Sequence, residues 1–424
     1  MRKLLVASAI LATIQAFPIS AAAAAPSPSP TPVPTPGPTY PATATDSQRA
    51  TAALSYLLSA QSTDGSIDKS LGETADYVIG AADAGYDPAT LTGCTAGGTG
   101  ALAFLATASD AATTDAAQTG KTILAVVAAG LDPTAFSGRD LVSRLAALYH
   151  ADTGAYGDGA TFSDAFAILA GVAAGVSVPA AATGALTALQ DPDGSWSYGK
   201  APVAAGGGDT NSTAVALMAL DSAGVHSADA AAIAYLATQQ LADGGFPYQN
   251  TTAYGPPASD PDSDALVLEA LVVTGQSPTA AAWSKGSATV MTSLRAGQAM
   301  DGGFVYPGSG ESAFTTSQVP AALVGLPYGA PTHPGAGLTV PPTGCPNYVP
   351  AASPTAQPSA GSTAASPSAG SSAAPSSAAG GTDTSDSSRR LGRFRIVALA
   401  IGALAIVVLI GGGIWYYRAR ARRR

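Results

Sequence analysis

Four times along the chain a glutamine is followed three residues later by Asp-Gly, then Gly or Ser, then an aromatic or Ile. The copies begin at Gln61 (with Asp64, Gly65 and Ile67), Gln190 (Asp193, Gly194, Trp196), Gln240 (Asp243, Gly244, Phe246) and Gln298 (Asp301, Gly302, Phe304). Asp-Gly stops a helix, because Asp bonds its own backbone two residues on and Gly takes a left-handed conformation. Each copy closes an Ala- and Leu-rich, helix-like run and is followed, after a variable loop, by a second one. A weaker copy lies at 149–159, and the widest gap between copies holds two more helix-like runs within 101–130. The spacing therefore predicts six pairs of helices built on one repeating turn.

A second register runs through the chain. Thr74, Thr119, Asp164, Thr213 and Asp264 each stand eleven residues before a glycine that ends an apolar run, and they are expected to cap the runs they precede, unless a neighbour one or two places earlier does so. These second runs are apolar nearly all round, as in Ala214 to Leu220, whereas the first runs carry residues such as Asp140, Ser143 and Arg144. A helix apolar on all sides is buried on all sides. The expectation is an all-α fold over 47–330, with an inner layer and an outer layer of helices forming a solenoid or closed ring.

The flanks read differently. Residues 1–25 have a basic start, an apolar run and a small-residue end, which predicts a signal peptide. Residues 26–46 form a Pro/Thr-rich stem, and 331–388 a Pro/Ser/Ala stalk, both expected to be disordered. The 22 uncharged apolar residues at 396–417 predict a transmembrane helix, followed by a basic tail at 418–424. The expected topology is single-pass in the cell membrane, with the repeats extracellular and the C-terminus cytoplasmic. The two cysteines, Cys94 and Cys345, either form a disulfide that closes a ring or remain free thiols.

Charge excludes one partner class. Between 26 and 388 there are 8 basic and 28 acidic residues, a surface that repels nucleic acid.

The Gln-x-x-Asp-Gly turn between two helices resembles the prenyltransferase and squalene-cyclase repeat. That resemblance implies an α/α toroid of about six helical hairpins, here with disordered linkers and one C-terminal transmembrane helix, as in a membrane-anchored bacterial surface protein. It spans terpene cyclases, prenyltransferase β subunits, thioester domains and cobalamin carriers, so it carries little about function. A cobalamin-type ligand would need a strand-rich partner domain, and none follows Gly329 in the sequence. Within the repeat every residue has a structural role: Gln bonds loop backbone, Asp caps the turn, Gly fits a left-handed or crowded position and the aromatic packs between hairpins.

For chemistry, the run Asp260-Pro261-Asp262-Ser263-Asp264 stands out. A carboxylic acid crowded by like charges has a raised pKa and could protonate an alkene, so Asp262 and Asp264 are the candidate acids of an isoprenoid cyclase. The adjacent Asp pair of that family is missing, and helix capping beside a solvated loop is the plainer reading of these residues. Asp260, Asp262 and Asp264 also offer hard oxygen ligands to a metal such as calcium. His150, His226 and His333 are dispersed, and no Cys-Asp-His zinc set assembles. The expectation is a membrane-tethered cell-surface repeat domain that binds a small molecule, glycan or protein or serves structurally, with a cyclase or prenyltransferase-like enzyme as the alternative.

Overall fold

Ala-rich helices of seven to fifteen residues, each ended by a turn, dominate the computed structural model, which describes residues 39–345 apart from 95–97, 113, 204–205, 253–255 and 330–337. In chain order the first hairpins are α1 (Asp46–Ala60) with α2 (Leu71–Asp83), α3 (Ala101–Ala111) with α4 (Ala116–Ala128), and α5 (Leu141–Ala147) with α6 (Thr161–Ala173). Then come α7 (Ala180–Ala188) with α8 (Thr210–Ser222) and α9 (Asp229–Gln239) with α10 (Pro261–Val273). A short ladder of β1 (Ser284–Lys285) and β2 (Ala288–Thr289) leads into α11 (Val290–Ala296). A second ladder, β3 (Phe304–Tyr306) with β4 (Gly310–Ser312), leads into α12 (Ala313–Ser317) and α13 (Val319–Leu323), each of five residues.

The even-numbered helices pack in sequence, α2 on α4, α4 on α6, α6 on α8 and α8 on α10; α10 then meets α12 and α13, which return to α2. They form a closed inner ring. On α8 and α10 nearly every residue is buried, while α5 and α7 bury only an inward stripe. The apolar-all-round pattern of the second runs follows from this double burial.

The inner helices begin earlier than the sequence register implies. Their N-caps are Ser70, Asp115, Ala160, Asp209, Asp260 and Ser312, so Thr74, Thr119, Asp164, Thr213 and Asp264 lie one turn inside. Those residues serve the turn instead. Thr74 Oγ1 accepts the Ile67 N–H at 2.9 Å, Thr213 Oγ1 that of Trp196 at 2.9 Å, and Asp264 Oδ1 that of Phe246 at 2.6 Å. Asp164 does the same for Tyr156 and Thr316 for Phe304, at 2.6 and 2.8 Å. Thr119 donates to the Ala112 carbonyl.

The ring closes through the end of the expected stem. Thr39 bridges Ala299, and Tyr40 N–H donates to Gln298 O at 2.9 Å. Arg49 is buried; its Nη2 donates to Pro41 O and its Nη1 to Gln298 Oε1. Arg295 grips Asp46 with two bonds of 2.7 and 2.6 Å. Residues 338–345 lie against the same body: Leu338 O accepts from Asp87 N–H, Val340 is buried, and Cys345 is bridged to Cys94 with Cα atoms 5.2 Å apart.

The membrane topology expected from the sequence is corrected here. Among the described residues no helix is long and apolar enough to cross a membrane; α1, the longest, has 15 residues. The apolar run at 396–417, the signal segment at 1–25 and the tail at 418–424 lie outside the described residues. No described element supports the C-terminal transmembrane helix, the single-pass cell-surface placement or the membrane partner, and the fold is that of all-α hairpins in a ring.

Candidate functional site

The repeated turn is a device for joining hairpins. In each copy the Gln Nε2 donates to its own turn glycine carbonyl and to a carbonyl of the next hairpin. Gln61 reaches Gly65 O at 2.8 Å and Leu91 O at 3.0 Å; Gln190 reaches Gly194 O and Ala228 O at 3.0 and 3.3 Å. Gln240 holds Gly244 O and Trp283 O, both at 2.9 Å. Gln298, in the last copy, reaches Gly302 O at 3.1 Å and Arg49 O of the first helix at 2.9 Å. Asp64, Asp193, Asp243 and Asp301 each accept the N–H two residues on, at 3.0–3.1 Å. Trp196, Phe246 and Phe304 are fully buried behind their turns.

The acidic run at 260–264 divides three ways. Asp260 caps α10, accepting from Ser263 N–H at 2.8 Å and Tyr248 N–H at 3.1 Å. Asp264 holds the Phe246 turn. Asp262 faces the ring interior at 4% exposure; its Oδ1 has no hydrogen-bond partner. Burial pushes its carboxyl well above the ordinary range, and the charges of Asp260, Glu73 and Asp76 add to the shift.

Below Asp262, Asp76 Oδ2 pairs with Lys121 at 2.7 Å and Asp76 Oδ1 accepts the Tyr328 hydroxyl. Glu269 Oε2 accepts the Tyr328 N–H at 3.2 Å. Lys121 lies 5.0 Å from the Phe166 ring centre and 5.7 Å from that of Tyr328. Asp76 thus pairs with the ammonium, and Glu73 and Glu269 lie within its field. Burial, with Asp68 and Asp76 nearby, raises Glu73 to about 8, and burial raises Glu269 well above its ordinary value. Burial thus favours the protonated form of Glu73 and Glu269. Tyr328 and Phe166 fill the space around them, edge to face at 5.7 Å.

Two cavities lie instead in the wall of the ring. One, of about 200 Å³, is apolar and sits between α4, α5 and α6, with Ile123, Leu145 and Tyr156 in its lining. The other, of about 290 Å³, is a groove of mixed lining between the α7–α8 and α9–α10 hairpins. Asp193 and Gly208 form one side; Tyr235 and Gln239 of α9 and the loop residues Gln249 and Asn250 form the other. Tyr235 hydroxyl and Gln249 Nε2 both donate to Gly208 O, at 3.2 and 2.9 Å, and Gln239 Oε1 accepts the Asn250 N–H at 2.9 Å. These bonds preset the walls.

The groove is electronegative. Burial raises the Asp193 pKa, but bonds from the Ser195 hydroxyl at 2.6 Å and the Gly206 N–H at 2.7 Å outweigh it, leaving the carboxyl below its ordinary value and ionised. The Tyr235 phenol is pushed up, first by burial and then by Asp209, Asp193 and Asp191. Among the described residues the lining carries no basic side chain. Sequence reasoning missed the groove, whose walls come from three separate segments.

The chain matches no model of a known protein family, and no curated protein matches it. The resemblance to the prenyltransferase and squalene-cyclase repeat is corrected accordingly. The residues that carried it are accounted for by local bonding: a Gln that links hairpins, an Asp that caps a turn and a Gly pressed against a neighbouring backbone. The function drawn from it, a tethered surface module or an isoprenoid enzyme, falls with the membrane span and the family.

Proposed function

We propose that this protein binds a small organic cation, an amine or quaternary ammonium, in the groove between the α7–α8 and α9–α10 hairpins. One observation carries the reading: an ionised carboxylate, Asp193, lines a cavity of about 290 Å³ with a tyrosine wall and no basic side chain among the described residues. That size sits at the lower end of the roughly 300–1,000 Å³ typical of small-molecule sites, which suits a ligand of a few heavy atoms. An ammonium gains from Asp193 directly and from Asp191 and Asp209 behind it, and the face of Tyr235 adds a cation–π contribution. The amides of Gln239, Gln249 and Asn250 complement N–H or hydroxyl groups on the same ligand. Anionic ligands meet only repulsion there.

Calorimetric titration with choline and with putrescine tests this, using 3,3-dimethyl-1-butanol as the uncharged isostere of choline. At least one cation should bind and the isostere should not. Asp193→Asn keeps the turn-capping oxygen and removes the charge; it should weaken binding roughly tenfold or more. Equal binding of the isostere, or no binding of either cation, would sink the reading.

A further inference from the structure

The loop joining α8 to α9 brings three potential ligands to one point. Asp221 lies in the last turn of α8, Gly224 turns the chain with φ of 75°, and His226 follows. Asp229 opens α9. His226 Nδ1 is 3.0 Å from Asp221 Oδ1 and 3.1 Å from Asp229 Oδ2. The three ligand atoms lie within 4.8 Å of one another. We infer that Asp221, His226 and Asp229 form a site for a borderline divalent transition metal of the zinc type.

The chemistry of the donors fits that ion. One imidazole nitrogen and two carboxylates suit Zn²⁺ and its neighbours better than Ca²⁺, which takes six or more oxygens. Tetrahedral ligands at roughly 2.0–2.1 Å from a zinc ion stand about 3.4 Å apart. The present N···O separations need open by only a few tenths of an ångström to admit a metal, and the two carboxylate oxygens already lie within 4.8 Å of each other. Asp229 Oδ2 faces the imidazole, while its Oδ1 is buried without a hydrogen-bond partner. His226 is 61% exposed, which leaves an entry path and room for water in the fourth position. Asp221 also stands at the C-terminal, electronegative end of α8, where a cation is favoured. The alternative is a latch in which the imidazole merely bridges two carboxylates.

The metal separates these. An untagged, chelator-stripped chain should take up one equivalent of Zn²⁺ in competition with a colorimetric chelator, and Co²⁺ should give visible absorption bands of low coordination number. His226→Ala and Asp221→Asn each remove a direct ligand and should weaken Zn²⁺ at least by the roughly tenfold that loss of an outer-shell partner costs. Circular dichroism of both variants should be unchanged, since the cluster sits in the α8–α9 loop, with His226 61% exposed and Asp221 and Asp229 17% and 18% exposed. Failure to retain Zn²⁺ against the chelator overturns the proposal, and so does retention that survives His226→Ala. The groove ligand plays no part in this experiment, so the two sites stand or fall separately.

Discussion

At the scale of single residues the turn glycines are the least replaceable positions. Gly194 has φ of 90°, and a Cβ there would lie 2.3 Å from Ala231 O of the next hairpin. Gly302 meets Ala52 O at the same distance with φ of 98°. Gly194→Ala should therefore cost more than the roughly 1 kcal/mol of a strained backbone alone, on the order of 2–4 kcal/mol in urea unfolding. Gly175, also at positive φ but with nothing near its Cβ position, should give a much smaller loss on the same change and is the control. The glycine requirement was legible in the sequence, because Asp-Gly announces it. The forward reach of the glutamine side chain was legible only in outline, since its acceptors, such as Ala228 for Gln190, lie far along the chain in unrelated surroundings.

At the scale of the element, the inner helices show why the second register was misread as a row of caps. A Thr or Asp before an apolar run suggests an N-cap, yet Asp209 caps α8 four residues before Thr213. The apolar face begins one turn inside each helix, because the first turn is occupied with loop bonds. The position accepts either hydroxyl or carboxylate: Thr at 74, 213 and 316, Asp at 164 and 264. The Asp version buries an acid whose pKa rises, to about 6 for Asp164 and well above the ordinary value for Asp264, burial being the first cause in both. Asp264→Thr keeps an acceptor for the Phe246 N–H and removes that acid. It should raise the thermal midpoint at pH 7.5 and have little effect at pH 4.5; a fall at pH 7.5 would contradict this account. The metal cluster was legible at this scale, as Asp-x4-His-x2-Asp across a helix–loop–helix, but His226 was set aside as one dispersed histidine among three.

At the scale of the whole molecule the buried acids set the pH response. Glu73 titrates at about 8, and Asp209 and Asp260 at about 6, all raised mainly by burial. Their ordinary values are 4.5 and 3.8, so the folded state holds protons that the unfolded chain releases. The stability they contribute is complete below about pH 4 and is lost as pH rises to about 8. Asp64, Asp132 and Asp193 are shifted the other way, chiefly through hydrogen bonds to their turns, and their contribution is lost as pH falls below the ordinary carboxylate range. A scan of thermal midpoints should peak near pH 4–5 and decline toward pH 8; a plateau from 6 to 8 would contradict it.

The Cys94–Cys345 bridge joins positions 251 residues apart and pins the 338–345 segment to the ring. On a chain-entropy estimate its removal by Cys345→Ser costs up to about 5 kcal/mol, measurable as a lower urea midpoint. Because the glutamine of the last copy bonds the first helix, the array has no terminal repeat. Open repeat arrays fray from their ends, where a unit has one neighbour instead of two. Here every unit has two. Native-state amide exchange should accordingly give α2, α6 and α10 protection factors of the same order, with opening that follows global unfolding rather than a gradient from either end of the chain.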